Sequence, residues 1–128
     1  MADNEQIVRD GYEAFSSGDM ETLGALFADD AVHSVPGNSQ IAGDYKGRDN
    51  ILNFYGKLFE LTDGNMSVDL KTVNVDGDKV AAVHRAKAAR AGNTLDSDTT
   101  LNFTIKDGKI VRIDEVPSDQ AAEDAFWG

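Results

Sequence analysis

The sequence predicts an α+β fold in which three N-terminal helices cover one face of a curved antiparallel sheet, and three observations carry that expectation. Apolar residues recur at helical spacing in the first half, at Ile7, Val8, Tyr12 and Phe15 and again at Ile51, Phe54, Tyr55, Leu58 and Phe59. From Asn65 the period changes to two, with Met66, Val68 and Leu70 separated by polar residues. Asp76-Gly77, Ala91-Gly92-Asn93 and Asp107-Gly108 then punctuate the second half as hairpin turns. Helices followed by a run of strands make a layered α+β arrangement.

Taken in order, the first helix runs from about Asn4 to Ser16, with Ile7, Val8, Gly11, Tyr12 and Phe15 on one face. Gly18 can take the left-handed conformation that ends it, and the Asp19 carboxylate can accept from the free N–H groups of a second helix. Leu23, Leu26 and Phe27 give that short helix its apolar stripe, and Asp29 and Asp30 read as helix-end and loop residues. Val32-His33-Ser34-Val35 reads as a short strand stopped by Pro36-Gly37, and residues 37–47, with Gly37, Gly43 and Gly47, read as a bent loop. The third helix carries Ile51 to Phe59 and ends at Thr62-Asp63-Gly64.

The strands that follow form an antiparallel meander of four, the first continuing through Val73 and Val75 after a bulge. KVAAVHRAKAARA, residues 79–91, has high helix propensity from its alanines, yet the turns on both sides require a strand there. Arg85, Lys87 and Arg90 then form a basic stripe facing solvent or a second subunit. Pro117 to Gly128 reads as a polar tail or short helix whose Phe126 and Trp127 need cover, either at a pocket mouth or against another subunit.

The chain's 128 residues suit one domain, 1–128, large enough for a core and one pocket. Twenty-three acidic against twelve basic residues give a formal charge of −11, which disfavours nucleic acid and anionic membranes as partners. No apolar run is long enough to cross a bilayer, and MADNEQIVRD has neither the basic nor the apolar region of a secretion leader, so a cytoplasmic location is expected. With no cysteine, thiolate chemistry and disulfides are excluded. A metal would have to use His33, His84 and carboxylates, and no closely spaced ligand motif supports one; no cofactor is expected.

SGDMETLGALFADDAVHSVPG, residues 17–37, strings together helix end, Gly-Asp, helix, Leu-Phe-Ala-Asp-Asp-Ala, short strand and Pro-Gly. This order resembles the start of an NTF2-like cone, and within that superfamily the SnoaL-like and ketosteroid-isomerase-like proteins. The resemblance extends from Tyr12 to Trp127, since DGKIVRIDEVPSD (107–119) and the later DAFW resemble the end of many SnoaL-like proteins. It implies a homodimer through the open face of the sheet and a pocket for a small, mostly apolar cyclic or polyketide-like molecule.

The resemblance also indicates which known chemistries lack their residues. Ketosteroid isomerases use a carboxylate base with a tyrosine and a protonated aspartic acid as hydrogen-bond donors. Those roles fall near Val35, Gly11 (beside Tyr12) and Leu101, two residues before Phe103, and all three are vacant. The aspartate, arginine, aspartate set of limonene-epoxide-hydrolase relatives falls near Ala86, His84 and Glu115, and only Glu115 keeps its chemistry. SnoaL-like cyclases use an acidic residue as general base in an apolar cavity.

The candidate catalytic residues are therefore His33, His84 and Glu115, with Asp98 and Asp114 in reserve. His33 shares strand parity with Val35 and should face the same cavity, where an imidazole suits acid or base work near neutral pH. Glu115 could orient it or act as base itself. Tyr12, Phe15, Val35, Tyr55, Leu101, Phe103 and Trp127 are the candidate substrate-binding residues. Against these stand plainer readings: structural histidines bonded to backbone, Asp98 as polar edge-strand sequence, and aromatic residues that simply fill the core. Asp114 and Glu115 occupy opposite faces, so one at most enters a cavity. Two function classes remain: an isomerase, cyclase or hydratase working by general acid–base chemistry, or a non-catalytic ligand-binding or dimerisation module.

Overall fold

A computed structural model describes residues 3–128. Helix α1 (Asn4–Ser17) starts where the Asp3 carboxylate accepts from the Gln6 N–H at 2.7 Å, and stops at Gly18, whose φ of 73° only glycine adopts without strain. Asp19 caps the short α2 (Met20–Ala25), accepting from both the N–H and the hydroxyl of Thr22. The chain then enters strand β1 (Phe27–Val35) earlier than its apolar spacing suggests. Phe27 opens this strand instead of closing the helix, and Asp29 and Asp30 are strand residues, because the Leu26 carbonyl is already captured by the Ile110 N–H at 2.9 Å.

Within the expected loop lies a short strand β2 (Gly43–Lys46), paired antiparallel to β1 from Val32↔Lys46 to Val35↔Gly43. Helix α3 (Arg48–Leu61) follows, with Ile51, Phe54, Tyr55 and Leu58 buried on its inner face. The meander comprises β3 (Met66–Asp76), β4 (Lys79–Arg90), β5 (Asn93–Lys106) and β6 (Lys109–Pro117), and a last helix α4 (Gln120–Trp127) ends the chain. The six strands form one sheet in the order β2-β1-β6-β5-β4-β3.

Two expectations need correction. The sheet is mixed, because β1 runs parallel to β6; these strands are far apart in sequence, so no hairpin fixes their relative direction. The helices number four among the described residues, two of them short, with α3 following β1 and β2 and α4 following the whole sheet.

The alanine-rich segment is a strand throughout, hydrogen-bonded on both sides to β3 and β5. Its ladder overrides helix propensity, and its inward residues alternate, with Val80, Ala82, His84, Ala86 and Ala88 buried. Of the small side chains on this face, Ala86 lines the space between the sheet and the helices. The bulge in β3 falls between Leu70 and Thr72. Asp98 is not on an edge: β5 lies between β4 and β6, and Asp98 is ion-paired with Lys71 across the outer face. The basic stripe also divides. Arg85 and Lys87 are exposed, Arg85 pairing with Asp96 at 2.6 Å, whereas Arg90 has the opposite parity and donates to the Phe126 carbonyl.

That bond is one of several polar straps on α4. Gln40 donates to the Trp127 carbonyl at 2.7 Å, and the Asp124 carboxylate accepts from the Asn38 N–H at 3.0 Å. Phe126 and Trp127 are thereby buried within the same chain. Among the described residues no helix is long and apolar enough to cross a membrane.

Candidate functional site

Between the concave face of the sheet, α1, α3 and α4 lies a cavity of about 100 Å³. Strand alternation decides which side chains reach it. On β4, β5 and β6 the register sets His84 opposite Thr99 and Leu101 opposite Glu115, all four pointing inward. His33 enters from β1, opposite Ile113 of β6, and Tyr12 and Tyr55 descend from α1 and α3.

The polar groups form two clusters. In the first, His33 Nδ1 lies 2.8 Å from the Tyr55 hydroxyl and His33 Nε2 lies 3.1 Å from Glu115 Oε1. A carboxylate only accepts, so Nε2 carries the hydrogen in the neutral imidazole and Nδ1 accepts from the Tyr55 O–H. The series Tyr55 to His33 to Glu115 thus has one direction, and both imidazole nitrogens are used. Edge-on contacts from Phe54 and Tyr55 fix the ring plane further. Among the described residues no hydrogen bond reaches Glu115 Oε2.

In the second cluster the Tyr12 hydroxyl lies 2.6 Å from His84 Nδ1. His84 is buried, yet among the described residues its Nε2 has no hydrogen-bond partner, and it is not sealed off from open space. Because the Tyr12 hydroxyl both donates and accepts, this pair can reverse. With Tyr12 donating, Nε2–H is a donor; with Nδ1–H donating to Tyr12, Nε2 is an acceptor.

Burial governs the electrostatics. It lowers the His84 pKa below its ordinary value, overcoming the opposing pull of Glu115 and Asp98, and so keeps the imidazole neutral. Burial, reinforced by the Glu115 carboxylate, pushes the Tyr12 and Tyr55 hydroxyls up, so both stay protonated donors. A further acid, Glu123 on α4, lines the same cavity, and burial raises its pKa despite the bond from Trp127 Nε1 at 2.9 Å.

Of the residues singled out in the sequence, His33, His84, Glu115, Tyr12, Phe15, Tyr55, Leu101, Phe103 and Trp127 all line the cavity. Val35 is buried beyond it, and neither Asp98 nor Asp114 reaches it; Asp114 pairs with Arg112 on the outer face. Sequence reasoning missed Glu123 and Thr99. Glu123 stands four residues before Trp127, a helical spacing that places both on one face once the short-helix alternative for the tail is taken. Among the described residues no group of three His, Cys, Asp or Glu side chains could hold a metal ion.

Comparison with known proteins gives the arrangement its relatives. The SnoaL-like domain pattern matches residues 8–113. An uncharacterised protein of Mycobacterium tuberculosis is 39% identical, over 94% of this chain and 93% of its own length. The structure of Bal32a, from a soil-derived mobile gene cassette, is 40% identical with a TM-score of 0.95, covering 98% of this chain and 96% of that one. A candidate polyketide cyclase of Sinorhizobium meliloti is 27% identical with a TM-score of 0.73, covering 86% of this chain and 93% of that one. NTF2-like proteins of two Burkholderia species align as well and, at their lower identities, share the fold alone.

Proposed function

The chain belongs to the SnoaL-like family, and on that premise we propose that it is a single-domain enzyme that moves a proton on a small, mostly apolar cyclic molecule. One observation carries the proposal. Glu115 is held at Oε1 by His33 and presents Oε2 to an apolar cavity that also contains the unpartnered Nε2 of His84. Glu115 Oε2 is the base, and His33, saturated on both nitrogens, is a positioning residue that fixes the carboxylate. A C–H proton beside a ligand carbonyl passes to Oε2 and the electron pair moves onto the carbonyl oxygen. His84 Nε2–H, set as a donor by Tyr12, stabilises that oxygen; return of the proton from Glu115 at another carbon of the conjugated enolate gives isomerisation, and attack of the enolate carbon on a second carbonyl, whose oxygen takes the proton back from Glu115, gives ring closure. A relative described as a candidate polyketide cyclase supports this class of reaction.

The test needs no natural substrate. Cyclic ketones in D2O should exchange their α-hydrogens faster with the protein than without it, and Glu115→Gln should abolish the difference while leaving the protein folded. Absence of exchange across the panel would overturn the proposal.

A second reading, a binding module without catalysis, is favoured by one observation: the histidine nearest the acid has no free nitrogen. It predicts ligand binding with no exchange. Either reading accommodates a homodimer through the outer face, where Val83, Thr100 and the 53%-exposed Val116 form a row across β4, β5 and β6.

A further inference from the structure

The charges around the cavity are one-sided. Among the described residues, the only ionisable side chains lining it besides the tyrosines are Glu115, Glu123, His33 and His84, and no lysine or arginine reaches it. The nearby cations lie outside the cavity lining: Arg90 donates to the Phe126 carbonyl, and Arg48, whose Nε is buried without a partner, uses its Nη2 on Asp29 and the Phe27 carbonyl. Glu115 has His33 as its one polar partner, and Glu123 is held by Trp127 and Ser97. A bound anion would thus meet two acids in a low-dielectric space with no fixed positive charge to offset its lost hydration.

The rest of the lining suits the opposite sign. Tyr12, Phe15, Phe54, Tyr55, Phe103 and Trp127 contribute aromatic rings, whose faces attract cations. His84, more than nine-tenths buried, offers Nε2 as an unpartnered acceptor when its Nδ1–H is given to Tyr12. Glu115 Oε2 is a second free acceptor in the same space.

We infer that the cavity selects small apolar molecules bearing a protonated amine, whose N–H groups are received by Glu115 Oε2 and His84 Nε2 while the hydrocarbon body packs among the aromatic rings. The inference rests on the proposed function only in taking this cavity as the ligand site; it does not require proton transfer.

Three probes of nearly equal shape test it: benzylamine, benzyl alcohol and benzoate, titrated by calorimetry at pH 7 into the full-length protein. Benzylamine should bind roughly tenfold or more tightly than benzyl alcohol, and benzoate should not bind. Glu115→Gln should shrink the amine preference several-fold without loss of benzyl alcohol binding, and Glu123→Gln should act in the same direction more weakly. Equal or tighter binding of benzyl alcohol, binding of benzoate, or failure of all three probes to bind would overturn the inference. The ketone exchange assay fails or succeeds separately. Exchange without an amine preference leaves the proton-transfer proposal standing and removes this one, and an amine preference without exchange does the reverse.

Discussion

The two histidine clusters of the cavity use the same residue types to opposite ends. Around His33, the Tyr55 hydroxyl and the Glu115 carboxylate occupy both ring nitrogens, so the imidazole has a fixed tautomer and nothing left to offer a ligand. Around His84, Tyr12 occupies only Nδ1, leaving Nε2 open to the cavity. In the proposed mechanism, full hydrogen bonding makes one histidine a support, and the unused nitrogen lets the other address a ligand. On the proposed mechanism the reacting groups are therefore Glu115 and His84, whereas strand parity alone points to His33 first.

The largest effect that would break this comparison is on exchange. Glu115→Gln should lower catalysed ketone exchange by about 10²-fold or more, as loss of a general base does. His33→Asn should lower it by a smaller factor, through disorder of the carboxylate, and a larger loss from His33→Asn than from Glu115→Gln would reverse the assigned roles. Stability sharpens the contrast next. Tyr55→Phe strands Nδ1 of a fully enclosed histidine and should cost about 1–3 kcal/mol in denaturant unfolding. Tyr12→Phe should cost less, about 1 kcal/mol, because His84 already reaches open space.

The pH dependence is smaller again. The folded pKa of His84 lies below its ordinary 6.5, so the unfolded chain binds that proton more readily. Its contribution to stability is full above about pH 6.5 and is lost as pH falls through the folded value, a loss that His84→Gln should remove from the thermal midpoint profile. Glu123 has the opposite sign. Its folded pKa lies above 4.5, so its contribution is full below that pH and is lost as pH rises through the folded value, and Glu123→Gln should flatten that limb. The smallest change belongs to the exposed pair of the outer face: Arg85→Ala should leave both ligand response and exchange as they were.

Much of this arrangement was legible in the chain. Helical spacing located α1 and α3, and the three turn dipeptides fixed the β3–β6 meander, including the alanine-rich β4 that propensity alone would have made a helix. Parity also turned His33 toward the cavity and separated Asp114 from Glu115, but which of the two acids faces inward, and that His84 joins it, came only with the strand register. What escaped was non-local. The parallel pairing of β1 with β6 joins the two ends of the chain, and no turn signals it. Strand β2 has no periodicity of its own and exists by pairing with β1. Val35 shares the parity of His33, yet being buried did not put it at the cavity, because the space closes before the strand ends. Glu123 stayed hidden because the sequence leaves the choice between polar tail and short helix open, and only the helix puts it on the face of Trp127.

The most direct test of the central claim is an NMR titration of both imidazoles, with ring 15N labelling, in the presence and absence of a cyclic ketone. His84 should titrate below its ordinary value and its Nε2 resonance should move on ligand addition, while His33 keeps its hydrogen on Nε2 with and without ligand. A His84 that titrates at or above 6.5 and ignores the ligand, or a His33 that changes tautomer when ligand binds, would contradict it.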